Sequence, residues 1–116
     1  MTDNRALDPA ALERLQRLGG AKFTGDMIDL FLSYGAKKVA DTQEAANLEA
    51  VAMAAHPLKS SAGNVGAVRV AELAAALEQS AKRQDAEQSK ANVAELVTAF
   101  AEVKTLLEAE RARLGK

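Results

Sequence analysis

The chain has 116 residues with 15 basic and 16 acidic side chains, so its formal net charge is −1. Because the two signs are interspersed, we expect no basic surface that recruits nucleic acid or an anionic membrane. The lack of cysteine excludes a disulfide framework, a thiolate zinc site and an iron–sulfur cluster. The length fits one domain over residues 1–116, with a flexible N-terminus over residues 1–7. No apolar run resembles a signal peptide or a membrane span, so we expect a cytoplasmic protein.

Two helices are predicted in the first part of the chain. Asp8 is the expected N-cap of a short first helix, with Pro9 at its first position, and the glycine pair at 19–20 ends it. Thr24 is the expected N-cap of a second helix that runs to about residue 46.

Three more helices follow, each with its own boundary signals. Asn47 is the expected N-cap of the third helix, and Gly66 marks its end. A fourth helix begins near Val68 and ends in the polar stretch 80–85. The last helix, from about residue 86 to residue 114, has apolar residues at three- and four-residue steps. The pattern predicts an all-α fold, an antiparallel four-helix bundle with a short additional N-terminal helix.

The third helix carries the only histidine of the chain, His56. Residues three or four positions apart share a helix face, and this rule gives the helix two faces. An apolar stripe is expected to pack on the core, made of Val51, Ala55, Leu58 and Ala62. The face of the histidine carries Ala52, His56, Lys59, Ser60 and Gly63. We therefore expect the imidazole to point into solvent, where a partner can reach it.

From His56 to Ala67 the chain reads His-x-Leu-Lys-x-Ser-x-Gly-Asn-x-Gly-Ala. This string resembles the signature of histidine-containing phosphotransfer (HPt) domains, which shuttle a phosphoryl group between receiver-domain aspartates. Two positions depart from the usual pattern of the family. Ser60 stands where glycine is most frequent, and Pro57 directly follows the histidine.

The chemistry of such transfer suits a histidine and a lysine on one helix face. A neutral imidazole has a lone pair that attacks a phosphorus electrophile without a general base. Transfer then needs in-line positioning and compensation of charge on the phosphoryl oxygens. Lys59 is the only cation of this segment within reach of a phosphoryl group on His56. We therefore assign His56 as the phosphoryl acceptor and Lys59 to charge compensation.

The resemblance implies further parts of the site. An incoming receiver domain is expected to bring its aspartate and Mg²⁺, so no metal site and no cofactor are expected in this chain. The family has a Gln or Glu on the following helix near the histidine, and counting along the motif gives Glu78. That side chain could accept a hydrogen bond from the ring nitrogen that does not react, fixing the tautomer. Alternatively, Glu78 is an ordinary polar residue at a helix edge.

The partners implied by the resemblance are response-regulator receiver domains, with a hybrid histidine kinase as a further candidate. Docking is expected to be largely apolar around the histidine. The predicted contact positions are Ala52, Met53, Ser60, Gly63 and Glu78. A carrier of this type would be monomeric and would not make phosphohistidine from ATP itself.

Pro57 tests the helix assignment, because a proline inside a helix removes one amide donor and costs about 3 kcal/mol. Either the third helix kinks at the histidine, or it breaks and restarts with Pro57 at its first position. The apolar stripe keeps one phase across the proline, which favours the kink.

Two other functions compete with the phosphoryl carrier. The chain could be a helical interaction module that docks receiver domains without transfer, if Ser60 and Pro57 spoil the geometry. It could also be the dimeric helical half of a histidine kinase. The kinase reading fits poorly, because proline rather than an acid follows the histidine and no ATP-binding segment comes after it.

Overall fold

Four α-helices make up most of the chain in a computed structural model, which describes residues 6–115. Each helix packs against two others in a closed ring, α1 to α2, α2 to α3, α3 to α4 and α4 to α1. The predicted all-α four-helix bundle is confirmed, and no residue between 6 and 115 lies in a strand. Of the predicted flexible N-terminus, residues 1–5 lie outside the described part. The helices span Pro9–Glu44 (α1), Leu48–Asn64 (α2), Val68–Lys82 (α3) and Ala86–Leu114 (α4).

Helix α1 contains a break at Gly20, whose φ of 85° and ψ of −176° are not helical. The part before the break is the predicted short N-terminal helix, with Pro9 first and Asp8 accepting a hydrogen bond from the amide of Ala10 at 3.1 Å. The predicted N-cap role of Thr24 is wrong, because the helix resumes directly after the break. Thr24 lies inside it, fully buried, and its hydroxyl donates to the carbonyl of Gly20 at 2.9 Å.

Helix α2 begins where the sequence predicts. The Asn47 side chain caps it by accepting a hydrogen bond from the amide of Ala50 at 2.8 Å. The helix then runs to Asn64 with Pro57 inside it, so the alternative in which it restarts at Pro57 is wrong. The apolar phase that continues across the proline explains this, and the size of any kink there stays a prediction. The whole predicted stripe is buried: Val51, Ala55, Leu58 and Ala62.

The core lies between the four helices and fixes which faces of α2 and α3 meet. Large side chains from every helix are fully buried in it, and the Phe31 and Phe100 rings contact each other at a centroid distance of 5.7 Å. Because α2 and α3 pack side by side over this core, residues on their outer edges come together at the surface. The largest fully buried residues are Ile28, Leu58, Leu77, Leu96 and Leu107.

A buried polar cluster joins α3 to α4. The Ser80 and Ser89 hydroxyls lie 2.9 Å apart, and the side-chain amide of Asn92 donates to Ser80 at 3.1 Å. Buried polar groups must be matched in this way, because an unmatched one costs about 1–3 kcal/mol. The cluster therefore favours one register of α3 against α4, and α3 carries Glu78 on the side that meets α2.

Candidate functional site

The His56 imidazole lies at the surface in the middle of α2, as predicted. Its side chain is 67 % exposed, and its Nδ1 is 2.8 Å from Oε2 of Glu78 on α3. The ring is therefore held by one nitrogen while much of it remains open to solvent.

Glu78 is almost completely buried and contacts three charged or polar groups. Its side chain is 7 % exposed; Oε1 lies 2.5 Å from Nζ of Lys59, and Oε2 lies 3.1 Å from Nζ of Lys82. Because Oε2 also contacts Nδ1 of His56, the carboxylate joins α2 to α3. Buried carboxylates are tolerated when they are paired and hydrogen-bonded in this way.

The electrostatics of the cluster keep Glu78 ionised. The pKa of the Glu78 carboxyl is lowered from 4.5 to about 2, mainly by the Lys59 ammonium and also by Lys82 and His56, against the opposing effect of burial. At neutral pH the carboxylate is thus an acceptor only. Its contact with Nδ1 requires the proton on that nitrogen, which leaves Nε2 with the lone pair. In the neutral ring, the nitrogen with the lone pair is therefore the one that does not contact Glu78.

A cleft of about 660 Å³ runs between α2 and α3 beside the imidazole. One wall belongs to α2, the other to α3, and the turn after α3 closes one end. The lining residues are Glu49, Ala52, Met53, His56, Glu78, Ala81, Lys82 and Gln84.

The predicted contact positions have different environments. Met53 is 70 % exposed and lines the cleft, whereas Ala52 is only 8 % exposed and lies at its base. Ser60 and Gly63 are exposed on α2, and a Cβ added to Gly63 would meet no atom within 4 Å. Glu78 presents its carboxylate to residues of its own chain rather than to the surface. A docking role for these five positions stays a prediction.

Lys59 and Lys82 both pair with the carboxylate that contacts the imidazole. The sequence alone points to Lys59 and not to Lys82, although Lys82 follows Glu78 by four residues on one helix face. That i, i+4 spacing was a usable signal once Glu78 had been chosen. The structure thus places two ammonium groups, not one, on the carboxylate that holds the histidine.

Neither a cluster of metal ligands nor a helix fit to cross a membrane is present in the described part of the chain. Between residues 6 and 115, no three histidine or acidic side chains are grouped as metal ligands would be. No helix in that same part of the chain is both long and apolar enough to cross a membrane.

Comparisons with known proteins agree with this architecture. The chain is similar to histidine-containing phosphotransfer protein B from Pseudomonas aeruginosa PAO1, with 26 % identity, a TM-score of 0.87 and coverage of 96 % of this chain and 98 % of that one. A rice protein assigned as a histidine-containing phosphotransfer protein shares the fold, with 17 % identity, a TM-score of 0.81 and coverage of 96 % and 85 %. Comparison with curated proteins finds no significant match. The family model of the Hpt domain matches residues 9–113, and the chain therefore belongs to the Hpt family of histidine phosphotransfer proteins.

Proposed function

We propose that His56 accepts a phosphoryl group from the aspartyl phosphate of one receiver domain and passes it to the aspartate of another. The observation that carries this proposal is the 2.8 Å contact between Nδ1 of His56 and Oε2 of the ionised Glu78. It leaves Nε2 as the free nucleophile on an exposed ring. The family assignment supports the reaction class, since Hpt domains exchange phosphoryl groups with receivers.

The transfer step follows from this arrangement. The Nε2 lone pair attacks phosphorus, the N–P bond forms, the P–O bond of the acyl phosphate breaks, and its electron pair stays on the receiver carboxylate. The ring keeps the Nδ1 proton that it donates to Glu78. The positive charge gained by the imidazole therefore lies against a carboxylate, which stabilises the phosphorylated ring. In the second transfer, the aspartate of another receiver attacks phosphorus, the N–P bond breaks, and its electron pair stays on Nε2.

Lys59 and Lys82 provide positive charge at the carboxylate that holds the imidazole. Both ammonium groups contact the carboxylate of Glu78, and the same carboxylate contacts the imidazole of His56. A phosphoryl group on Nε2 would compete with Glu78 for these cations. We assign Lys59 and Lys82 to charge compensation on the phosphoryl oxygens.

In this proposal the receiver brings its own aspartate and Mg²⁺ to the transfer. Its aspartate carries the phosphoryl group, and its Mg²⁺ neutralises charge on the phosphoryl oxygens. On this chain, the exposed docking positions beside His56 are Met53, Ser60 and Gly63, with Ala52 at the base of the cleft. A hybrid histidine kinase is a further proposed partner. We propose a cytoplasmic monomer that carries phosphoryl groups without using ATP itself.

A labelling experiment tests the proposal. A receiver carrying ³²P on its aspartate is incubated with the wild-type chain and with His56→Gln, and the label on each chain is followed over time. The proposal expects label on the wild type and none on the variant. Stable receiver binding without label would instead support the non-transferring docking module.

A further inference from the structure

The turn between α3 and α4 contains an unusual backbone conformation at Gln84. Its φ is 63°, and it is the one non-glycine residue with a positive φ among residues 6–115. Side chains other than glycine, asparagine and aspartate rarely adopt this left-handed region, because Cβ crowds the following carbonyl. Such conformations are retained where the surrounding structure demands them, often next to functional sites.

Gln84 occupies the left-handed position of a Schellman motif, which caps the C-terminus of α3. The amide of Gln84 donates to the carbonyl of Ala81 and the amide of Asp85 to that of Ser80, both at 3.0 Å. Asp85 is also the N-cap of α4, accepting from the amide of Gln88 at 3.1 Å. The turn is thus fixed at both ends, and it holds the backbone of Gln84 in one orientation.

The end of α2 has the same cap with a different residue at the left-handed position. There the amide of Ala67 donates to the carbonyl of Ala62 at 2.9 Å, and the residue with φ of 79° is Gly66. Glycine takes this conformation without steric cost, whereas glutamine does not. The same chain therefore uses glycine at one cap and glutamine at the equivalent position of the other, so the cap alone does not explain Gln84.

The position of Gln84 suggests what its side chain does. It is exposed and lines the His56 cleft, at the end where Glu49 forms the opposite wall. Gln84 follows Glu78 by six residues, and Glu49 precedes His56 by seven, so this end lies about 10 Å along the helices from the imidazole. At that distance the Gln84 amide is too far from a phosphoryl group on His56 to act on it. A protein seated over His56 would still cover it.

We propose that Gln84 is a receiver-docking residue, presented over the far end of the cleft by the left-handed turn. Its amide can donate to and accept from polar groups on the part of the receiver surface that covers this end of the cleft. This inference rests on the proposed phosphotransfer function and adds a docking residue to it. Because the turn fixes the backbone, less backbone freedom is lost on binding than for a residue in a mobile loop.

Two variants separate the side chain from the backbone. Gln84→Ala removes the amide and keeps a Cβ in the left-handed region, whereas Gln84→Gly removes the amide and relieves the crowding. Rates of label transfer are measured against the concentration of phosphorylated receiver, together with the Tm of each chain. We expect both variants to raise KM about three- to tenfold, the range for one lost hydrogen bond, with the maximal rate unchanged. Only Gln84→Gly should raise Tm, by about 3–5 °C.

The other outcomes each reject the proposal. An unchanged KM in both variants means that Gln84 serves the turn alone. A higher KM in Gln84→Gly but not in Gln84→Ala means that turn flexibility, not the amide, matters. A fall in the maximal rate at unchanged KM would place Gln84 in the transfer step rather than in docking. If the wild-type chain takes no label from any receiver, the proposed function fails and this inference with it, whereas the preceding outcomes leave that function intact.

Discussion

Oε2 of Glu78 lies 2.8 Å from Nδ1 of His56, across the boundary between α3 and α2. The two residues are 22 positions apart in the chain. Only the packing of the two helices makes them neighbours, so the orientation of the imidazole depends on the fold as well as on α2 itself. The carboxylate fixes which nitrogen carries the proton and thereby which nitrogen can react.

Replacing Glu78 should alter the tautomer of His56. In Glu78→Ala the Nδ1 proton loses its acceptor, and ¹⁵N NMR at neutral pH should show a mixture of tautomers instead of the Nδ1–H form. Transfer should slow about ten- to a hundredfold, because a hydrogen bond to a charged group contributes about 1.5–3 kcal/mol. A variant that keeps the Nδ1–H form and the wild-type rate would contradict this assignment.

Acid should weaken the fold through Glu78. The pKa of this carboxyl is lowered from 4.5 to about 2, first by Lys59, so the ionised form stabilises the folded state above pH 4.5. That contribution, about 3 kcal/mol, is lost as pH falls from 4.5 towards 2. Urea unfolding is measured at several pH values between 4.5 and 2. Over this range the free energy of unfolding should fall less in Glu78→Gln than in the wild type.

A matched control for the acid effect is Glu108→Gln. Glu108 pairs with Lys104 at 3.0 Å on the exposed side of α4, and exposed pairs contribute about 0–1 kcal/mol. This variant should keep the wild-type dependence of unfolding free energy on pH. Equal flattening in both variants would mean that the acid sensitivity does not come from the Glu78 cluster.

Removing either lysine of the site should slow phosphoryl transfer. Lys59→Ala and Lys82→Ala each delete one positive charge beside His56, and about 1 kcal/mol for each corresponds to about fivefold in rate. Because both lysines contact Glu78, the double variant should depart from the product of the single effects. Quench-flow transfer assays measure these rates, with Lys104→Ala on α4 as the control. A wild-type rate in Lys82→Ala would leave Lys59 as the only compensating cation.

The turn after α2 should tolerate no side chain at Gly66. Its φ is 79°, and an added Cβ would lie 2.4 Å from the backbone oxygen of Asp8. The hydrogen bond from the amide of Asp8 to the carbonyl of Gly66, 2.8 Å long, would also be disturbed. Gly66→Ala should lower the free energy of unfolding by about 2 kcal/mol or more, as measured by urea denaturation. Gly63→Ala, where the added Cβ meets nothing within 4 Å, should not destabilise the fold.

Local signals in the sequence were sufficient to predict most helix boundaries. The caps at Asp8 and Asn47 and the glycine after α2 lie where the sequence placed them, because capping depends on residues within one turn of the helix end. Thr24 resembles a cap in the sequence, but a threonine inside a helix can also donate to a carbonyl four residues earlier, as it does here. Nothing local distinguished that use from a cap.

The site was predictable only in part. The histidine face and Glu78 followed from helix spacing and from the resemblance to the family. The burial of Ala52 was not foreseen, because it depends on how closely other helices approach that side of α2. The contact of Lys82 with Glu78 was not foreseen either, nor was the left-handed turn at Gln84. Both lie where α2, α3 and the following turn meet. Such features need the packing of the helices, which periodicity does not specify.

The most direct test of the account is to identify the phosphorylated atom. The chain is phosphorylated by a receiver aspartyl phosphate, and ¹⁵N and ³¹P NMR then assign the N–P bond. The account predicts a bond to Nε2 of His56, with the proton retained on Nδ1 against Glu78. A bond to Nδ1, or phosphoryl transfer to any other residue, would contradict it.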